Sequence, residues 1–207
     1  KRLDYFVEKG CKIADYGFDF VSENDENLIW LIENCYKRKM ILQLHFGTFR
    51  NVNSVAYKQS GKDSGFDIMR GTIDTDALVK IFDRENARLG GLPKIVVYPL
   101  NDYDLRALGA LTGAFPQVKL GAAWWFNDTV NGIKRQLETA AEYSALGTQY
   151  GMLTDSRSFS SYVRFDFYRR ILSSFIGERV ENGEYDENAA IALARKIAYE
   201  NIKAALL

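Results

Sequence analysis

Asp155 and Arg157 are the residues of this sequence whose types and spacing best suit chemistry. They follow an apolar run that ends at Thr154 and precede a long helical pattern. In an extended segment, residues two apart face the same side, so both side chains can enter one pocket. The guanidinium favours an ionised carboxylate, which can act as a base or metal ligand, and arginine binds anions in a forked geometry. The alternative is an ordinary turn in which Asp155 or Ser156 caps the next helix.

A histidine and an arginine follow another apolar run in the same way. His45, the single histidine of the chain, closes the run 41–45, and Arg50 lies in the loop that follows. Strand ends are where parallel barrels place ligands and acid–base groups, so both residues are candidates for a functional site. The alternatives are a structural histidine and an arginine in solvent.

A pair of tryptophans, Trp124 and Trp125, ends a third apolar run. A tryptophan ring at this position can form the wall of a pocket, and its flat face suits the C–H face of a sugar. The alternative is core packing, which we expect for Trp125. Asp128 is interpreted as the N-cap of the helix that follows.

Composition excludes several classes of function. The 207 residues are 47% hydrophobic and 26% charged, with 27 basic and 27 acidic side chains. This balance gives no electrostatic case for binding nucleic acid or an anionic membrane. No apolar run approaches the roughly 20 residues of a membrane span, and no signal-peptide pattern opens the chain. Cys11 and Cys35 are expected to be reduced thiols of a cytoplasmic protein.

Strand and helix patterns alternate strictly along the chain. Predicted strands cover residues 12–20, 41–45, 94–100, 118–125 and 149–154. Predicted helices cover residues 2–9, 22–40, 76–89, 102–115, 128–146, 160–177 and 186–206. The strands are continuous apolar runs, which indicates an α/β protein with a parallel sheet buried on both faces.

A (β/α)8 barrel fits this pattern better than an open nucleotide-binding sheet. No strand is followed by a glycine-rich phosphate loop, and the polar residues lie at the strand exits, where a barrel keeps its active site. Five strands cannot close an eight-stranded barrel. The sequence begins at Lys1 within a helical pattern. We therefore expect residues 1–207 to form a single domain that is the C-terminal part of a barrel, with an open sheet as the alternative. The polar stretch 47–75 is expected to be a long functional loop.

Five stretches of the sequence resemble the uronate isomerase (glucuronate isomerase) family of the amidohydrolase superfamily. These stretches are Leu42–Gly47, Asp63–Asp67, Trp124–Asp128, Leu153–Phe159 and Tyr168–Leu172. The resemblance runs over nearly the whole chain, with these stretches in order and with matching spacing. The resemblance implies a TIM barrel that interconverts glucuronate with fructuronate and galacturonate with tagaturonate in hexuronate catabolism.

The resemblance also implies roles for individual residues. Asp155 would be a metal ligand and a proton-transfer group, and Arg157 its catalytic partner. His45, Arg50 and Trp124 would bind a uronic acid substrate. The implied cofactor is a divalent metal, zinc, and the implied assembly is a homo-oligomer.

The sequence departs from the family pattern in two ways. The His-x-His metal pair of the superfamily is absent, and Tyr16 stands where related sequences tend to carry a histidine. We therefore expect the isolated chain to bind metal weakly and to be inactive. Another metal-dependent hydrolase of the superfamily and a non-catalytic binding domain stay open as alternatives.

Overall fold

A parallel sheet of four strands forms the centre of the computed structural model, which describes residues 1–207. The strands are β1 Ile13–Phe18, β2 Ile41–Phe46, β3 Thr48–Phe49, β4 Ile68–Met69, β5 Ile95–Pro99 and β6 Val118–Leu120. The sheet has the order β1-β2-β5-β6, and all its neighbouring strands run parallel. Strands β3 and β4 form a separate antiparallel pair. The prediction of an α/β protein with a parallel sheet is confirmed.

Helices connect and cover the strands. They are α1 Arg2–Glu8, α2 Glu26–Arg38, α3 Ser54–Ser60, α4 Thr75–Leu89, α5 Leu105–Ala114, α6 Val130–Tyr143, α7 Val163–Glu181, α8 Glu187–Arg195 and α9 Asn201–Leu206. A π-helix, Lys196–Glu200, joins α8 to α9, and short 3-10 helices cover Trp125–Asn127, Leu146–Thr148 and Phe159–Tyr162. None of the helices has the length and apolar character needed to cross a membrane.

The main hydrophobic core lies between the sheet and the helices. It contains 33 buried residues, and strand β5 is buried along its whole length. A smaller cluster, Ile41, Val96 and Tyr98, lies on a second face of the sheet. Burial on both faces explains why β5 is a continuous apolar run rather than an alternating one.

Short polar side chains start most of the longer helices. The side chains of Asp25, Asn53, Asp74, Thr129 and Asp186 each accept a hydrogen bond from a backbone N–H three residues further on. This is the N-cap arrangement, which satisfies one of the unpaired N–H groups of the first turn. The predicted cap Asp128 is wrong by one residue, since Thr129 caps α6.

The fifth predicted strand, residues 149–154, is not a strand. Gly151 has φ +73°, a left-handed conformation that interrupts an extended ladder. The side-chain amide of Asn201 instead donates to the carbonyl oxygens of Gly147 and Gln149, at 2.8 Å each. The C-terminal helical region therefore holds this segment, and the sheet has four strands rather than five.

The long polar stretch contains more regular structure than its sequence suggests. Helix α3 and the β3–β4 pair both lie within it. The buried Asn101 donates through Nδ2 to the Gly71 carbonyl at 3.3 Å and to Asp104 Oδ2 at 3.0 Å. The Ile73 amide also donates to Asp104 Oδ2, at 3.4 Å. These bonds attach the end of the stretch to the turn after β5.

Candidate active site

An open cavity of about 680 Å³ lies beside the carboxyl ends of the strands. Four of the five predicted site residues line it: Arg50, Trp124, Asp155 and Arg157. They come from three different connections, after β2, after β6 and after the segment 149–154. Their meeting follows from parallel topology, because the carboxyl ends of parallel strands share one edge.

Asp155 and Arg157 both line this cavity, but they do not form an ion pair with each other. Both side chains are exposed. Asp155 has φ +47°, a left-handed conformation that aspartate tolerates better than most residues. Neither Asp155 nor Ser156 caps the next helical turn, because Ser158 Oγ accepts from the Ser160 amide. The turn thus leaves the Asp155 carboxylate without a helix-capping role.

Arg50 forms contacts on several sides of the cavity. Its Nη2 donates to Asp63 Oδ1, and its Nε lies 3.5 Å from Asp67 Oδ2. Its guanidinium carbon lies 5.2 Å from the ring centroid of Trp125, within the range of a cation–π contact. The two aspartates belong to the stretch between α3 and β4, so Arg50 ties that stretch to the exit of β6.

Trp125 is a wall residue that sequence reasoning assigned to core packing. It lines the main cavity and a smaller adjoining one, and it stacks on Phe126 with ring centroids 5.2 Å apart. Its φ is +52°, an outlier for a bulky side chain. Two adjacent tryptophans at a strand exit could have indicated that both rings line a pocket. Their different orientations depend on this backbone turn.

His45 lies at the adjoining cavity of about 250 Å³, which Arg50 and Trp125 also line. Its Nε2 lies 3.0 Å from Asp15 Oδ2, and its ring meets Trp124 edge-on with centroids 5.4 Å apart. Gly17 makes room for the imidazole, since a β-carbon there would lie 2.2 Å from Cε1. Asp15, which sequence reasoning missed, can fix the orientation and tautomer of His45.

The Asp128 carboxylate pairs with Arg164 instead of capping α6. Arg164 Nη2 also donates to the Asp128 carbonyl oxygen at 3.0 Å. Both residues line the main cavity. This pair attaches the start of α7 to the connection after β6, so it supports the cavity wall.

A buried polar pair lies behind the cavity on the sheet. Gln43 Nε2 donates to the Tyr98 hydroxyl at 2.9 Å. Burial raises the pKa of Tyr98 far above its usual value, although this hydrogen bond opposes the shift. The phenol is therefore a neutral hydrogen-bonding group at physiological pH.

The residues of this chain do not form a metal site by themselves. No three histidine, cysteine or acidic side chains converge as metal ligands. In the main cavity Asp63 and Asp67 contact Arg50, and Asp128 contacts Arg164, which leaves Asp155 as the acid without a cationic partner. Catalytic zinc is usually held by three protein ligands, so one aspartate is too few.

Comparisons with known proteins agree on one family. A sequence model of the glucuronate isomerase family matches residues 22–205. A uronate isomerase from Serratia proteamaculans is 35% identical over 240 residues, which cover 98% of this chain and 51% of that protein. The crystal structure of a Thermotoga maritima uronate isomerase aligns with a TM-score of 0.91 and 28% identity, over 99% of this chain and 51% of that one. A glucuronate isomerase structure from Caulobacter crescentus gives a TM-score of 0.88 at 26% identity, over 99% and 49%.

Fold and site together define a parallel α/β protein with a polar cavity at the carboxyl ends of its strands. The chain belongs to the glucuronate isomerase family. It spans about half the length of the curated relatives it matches. The alignment with the Serratia protein spans 240 positions, 33 more than the 207 residues of this chain. At least 33 residues of the Serratia protein therefore have no counterpart in this chain.

Proposed function

We propose that this chain is the C-terminal part of a uronate isomerase barrel that interconverts glucuronate with fructuronate and galacturonate with tagaturonate. The observation that carries the proposal is the convergence of Arg50, Trp124, Asp155 and Arg157 on one cavity at the strand ends. Family membership supports the reaction class. The four parallel strands and the segment 149–154 would contribute to an eight-stranded barrel of the amidohydrolase type.

The reaction exchanges a carbonyl and a hydroxyl group between C1 and C2 of an open-chain uronic acid. Asp155 would remove the proton from C2 and return it to C1, as a general base and then a general acid. Arg157, from the same turn, would stabilise the negative charge on the oxygens of the enediolate intermediate, in which the hydroxyl proton of O2 passes to O1 as the carbonyl forms at C2. The exposure of both side chains within the cavity supports these roles.

Three further side chains would hold the substrate. Trp124 presents a ring to the C–H face of the sugar, and Arg50 binds the carboxylate. His45, held by Asp15, would bind a hydroxyl group from the adjoining cavity. The proposed substrate is thus a small anionic sugar. The proposal for the whole enzyme is a cytoplasmic homo-oligomer that degrades hexuronates.

A divalent metal, zinc, belongs to the proposal for the whole barrel. Asp155 would be its one ligand from this chain, and residues outside the chain would supply the rest. The isolated chain should therefore show no isomerase turnover.

Grafting tests this proposal directly. The chain is expressed alone and as a chimera in which it replaces the matched half of the Thermotoga maritima uronate isomerase. We expect the chimera to convert D-glucuronate to D-fructuronate and the isolated chain to be inactive. Isomerisation by the chain alone at a rate typical of enzymes, or hydrolysis of lactones or amides by the chimera in place of isomerisation, would contradict the proposal.

A further inference from the structure

The guanidinium of Arg50 is shared between two aspartates that differ sharply in exposure. The Asp67 side chain is 8% exposed, whereas the Asp63 side chain is 46% exposed. Both belong to the stretch that forms one wall of the main cavity. A difference of this size means that the two ion pairs need not respond alike when an anion enters the cavity.

Asp67 is fixed by a second interaction. Its Oδ1 accepts a hydrogen bond from the Asn51 amide at 2.8 Å, while its Oδ2 faces Arg50. Asn51 has φ +54°, so this bond also holds a left-handed turn directly after Arg50. The neighbouring Val52 amide donates to the Phe66 carbonyl at 2.9 Å, which adds a backbone bond between the same two segments. Asp67 is therefore part of the framework that fixes the position of Arg50.

Asp63 lacks comparable support. Its one polar side-chain contact in the structure is with Arg50, and its φ of +60° places it in an exposed turn between α3 and β4. Exposed ion pairs of this kind shift an equilibrium by no more than about fivefold. A carboxylate from solution can therefore compete with Asp63 for the same guanidinium nitrogen.

We propose that the carboxylate of the substrate replaces Asp63 on Arg50, while Asp67 and Trp125 keep the guanidinium in place. Asp67 is then a positioning residue, and Asp63 is an internal competitor that lowers the affinity for anionic sugars. This inference rests on the proposed function, because it takes a uronic acid as the ligand. It adds to that function a determinant of affinity for the charged end of the substrate.

Calorimetric titration of the chain tests the exchange without relying on turnover. The ligands are D-glucuronate and its neutral amide, D-glucuronamide. We expect Asp63→Asn to tighten D-glucuronate binding about two- to fivefold, since the competing charge is removed, and to leave D-glucuronamide binding unchanged. In an Arg50→Ala background the same substitution should have no effect.

A matched control separates this exchange from a change in net charge. Asp4→Asn removes the charge of another exposed aspartate paired with an arginine, Arg38, and Asp4 does not line the cavity. It should leave both affinities unchanged. Asp67→Asn should weaken D-glucuronate binding about tenfold and spare D-glucuronamide, because the guanidinium loses its fixed partner. Asp67→Glu should restore part of the loss, with circular dichroism checking the fold of each variant.

Two results would overturn the exchange: D-glucuronate binding that Asp63→Asn leaves unchanged or weakens, or tightening that persists without Arg50. Failure of the proposed function is a separate outcome. If the chimera turns over D-glucuronate but Asp63→Asn does not change D-glucuronate affinity, only the exchange of Asp63 for the substrate carboxylate is rejected. An inactive chimera combined with tighter D-glucuronate binding by the Asp63→Asn chain rejects only the isomerase.

Discussion

Three residues of the main cavity, Asp63, Trp125 and Asp155, adopt left-handed backbone conformations that non-glycine residues usually avoid. Each costs about 1–2 kcal/mol relative to an ordinary conformation. Such strain persists when the surroundings hold the residue in place, and Trp125 has Arg50 and Phe126 stacked near its ring. Strained residues concentrate at functional sites, so their presence in one cavity supports its choice as the candidate active site.

Asp155→Asn is the first prediction at the scale of the residue. Asparagine tolerates the left-handed conformation and nearly matches aspartate in shape, so the fold should persist. It cannot accept the C2 proton, and the proposed chimera should lose about a hundredfold or more of its turnover. Isomerase assays measure the loss, with circular dichroism as the control for folding. Turnover equal to that of the unmodified chimera would remove Asp155 from the mechanism.

At the scale of the element, glycines show where helices must approach other segments closely. Gly132 lies in the first turn of α6, where a β-carbon would lie 2.1 Å from the carbonyl oxygen of Asn127. A β-carbon added at Gly177 in α7 would have no atom of another segment within 4 Å. The two glycines look alike in a helical sequence pattern, and only their packing distinguishes them.

We predict opposite effects of alanine at these two positions. Gly132→Ala should destabilise the chain by about 1–3 kcal/mol, because the contact is with backbone that cannot move aside. Gly177→Ala should stabilise it by about 0.4–1 kcal/mol, because it restricts the unfolded chain without a steric conflict. Urea unfolding measures both free energies, and effects of the same sign would contradict this packing of α6.

The contact between Asp104 and the Ile73 amide predicts a dependence of stability on pH. Burial raises the pKa of the Asp104 carboxyl, although hydrogen bonds from Asn101 and the Ile73 amide oppose the shift. A raised pKa means that the folded state holds the proton more tightly than the unfolded chain. The stability this provides is present below the ordinary aspartate pKa of 3.8 and is lost as the pH rises through the raised value.

Asp104→Asn should therefore gain stability relative to the unmodified chain as the pH rises from about 4 to about 7. Asparagine retains an acceptor for the Ile73 amide but does not ionise. Urea unfolding of both chains across this range measures the difference in the free energy of unfolding. A difference that stays constant with pH would show that Asp104 does not titrate in the expected direction.

At the scale of the whole molecule, the sheet has two edge strands, β1 and β6, each paired on one side only. Strand β1 has β2 on one side and no neighbour on the other, and β6 borders only β5. Unpaired strand edges present free N–H and C=O groups to other chains. In the proposed barrel these edges would face strands outside this chain.

We therefore expect the isolated chain to self-associate. Light scattering coupled to size-exclusion chromatography should give a mass that rises with concentration above the 23.6 kDa of the monomer. The chimera, whose added half would cover both edges, should lose this dependence on concentration. A single mass of 23.6 kDa for the isolated chain at every concentration would contradict the prediction.

The sequence alone determined the alternation of strands and helices, because apolar runs and their period reflect which faces each element buries. It also indicated His45, Arg50, Trp124, Asp155 and Arg157 through their positions after apolar runs. Parallel topology then brings four of them to one cavity. This much follows from local pattern and the rule that strand exits share an edge.

Tertiary structure alone decided the rest. Whether residues 149–154 join the sheet depends on Gly151 and on the amide of Asn201, some 50 residues further along the chain. The partners of Arg50 depend on how the stretch between α3 and β4 folds back, and the ring of Trp125 depends on a backbone turn. A local sequence pattern cannot predict these contacts, because they join segments that are distant in sequence.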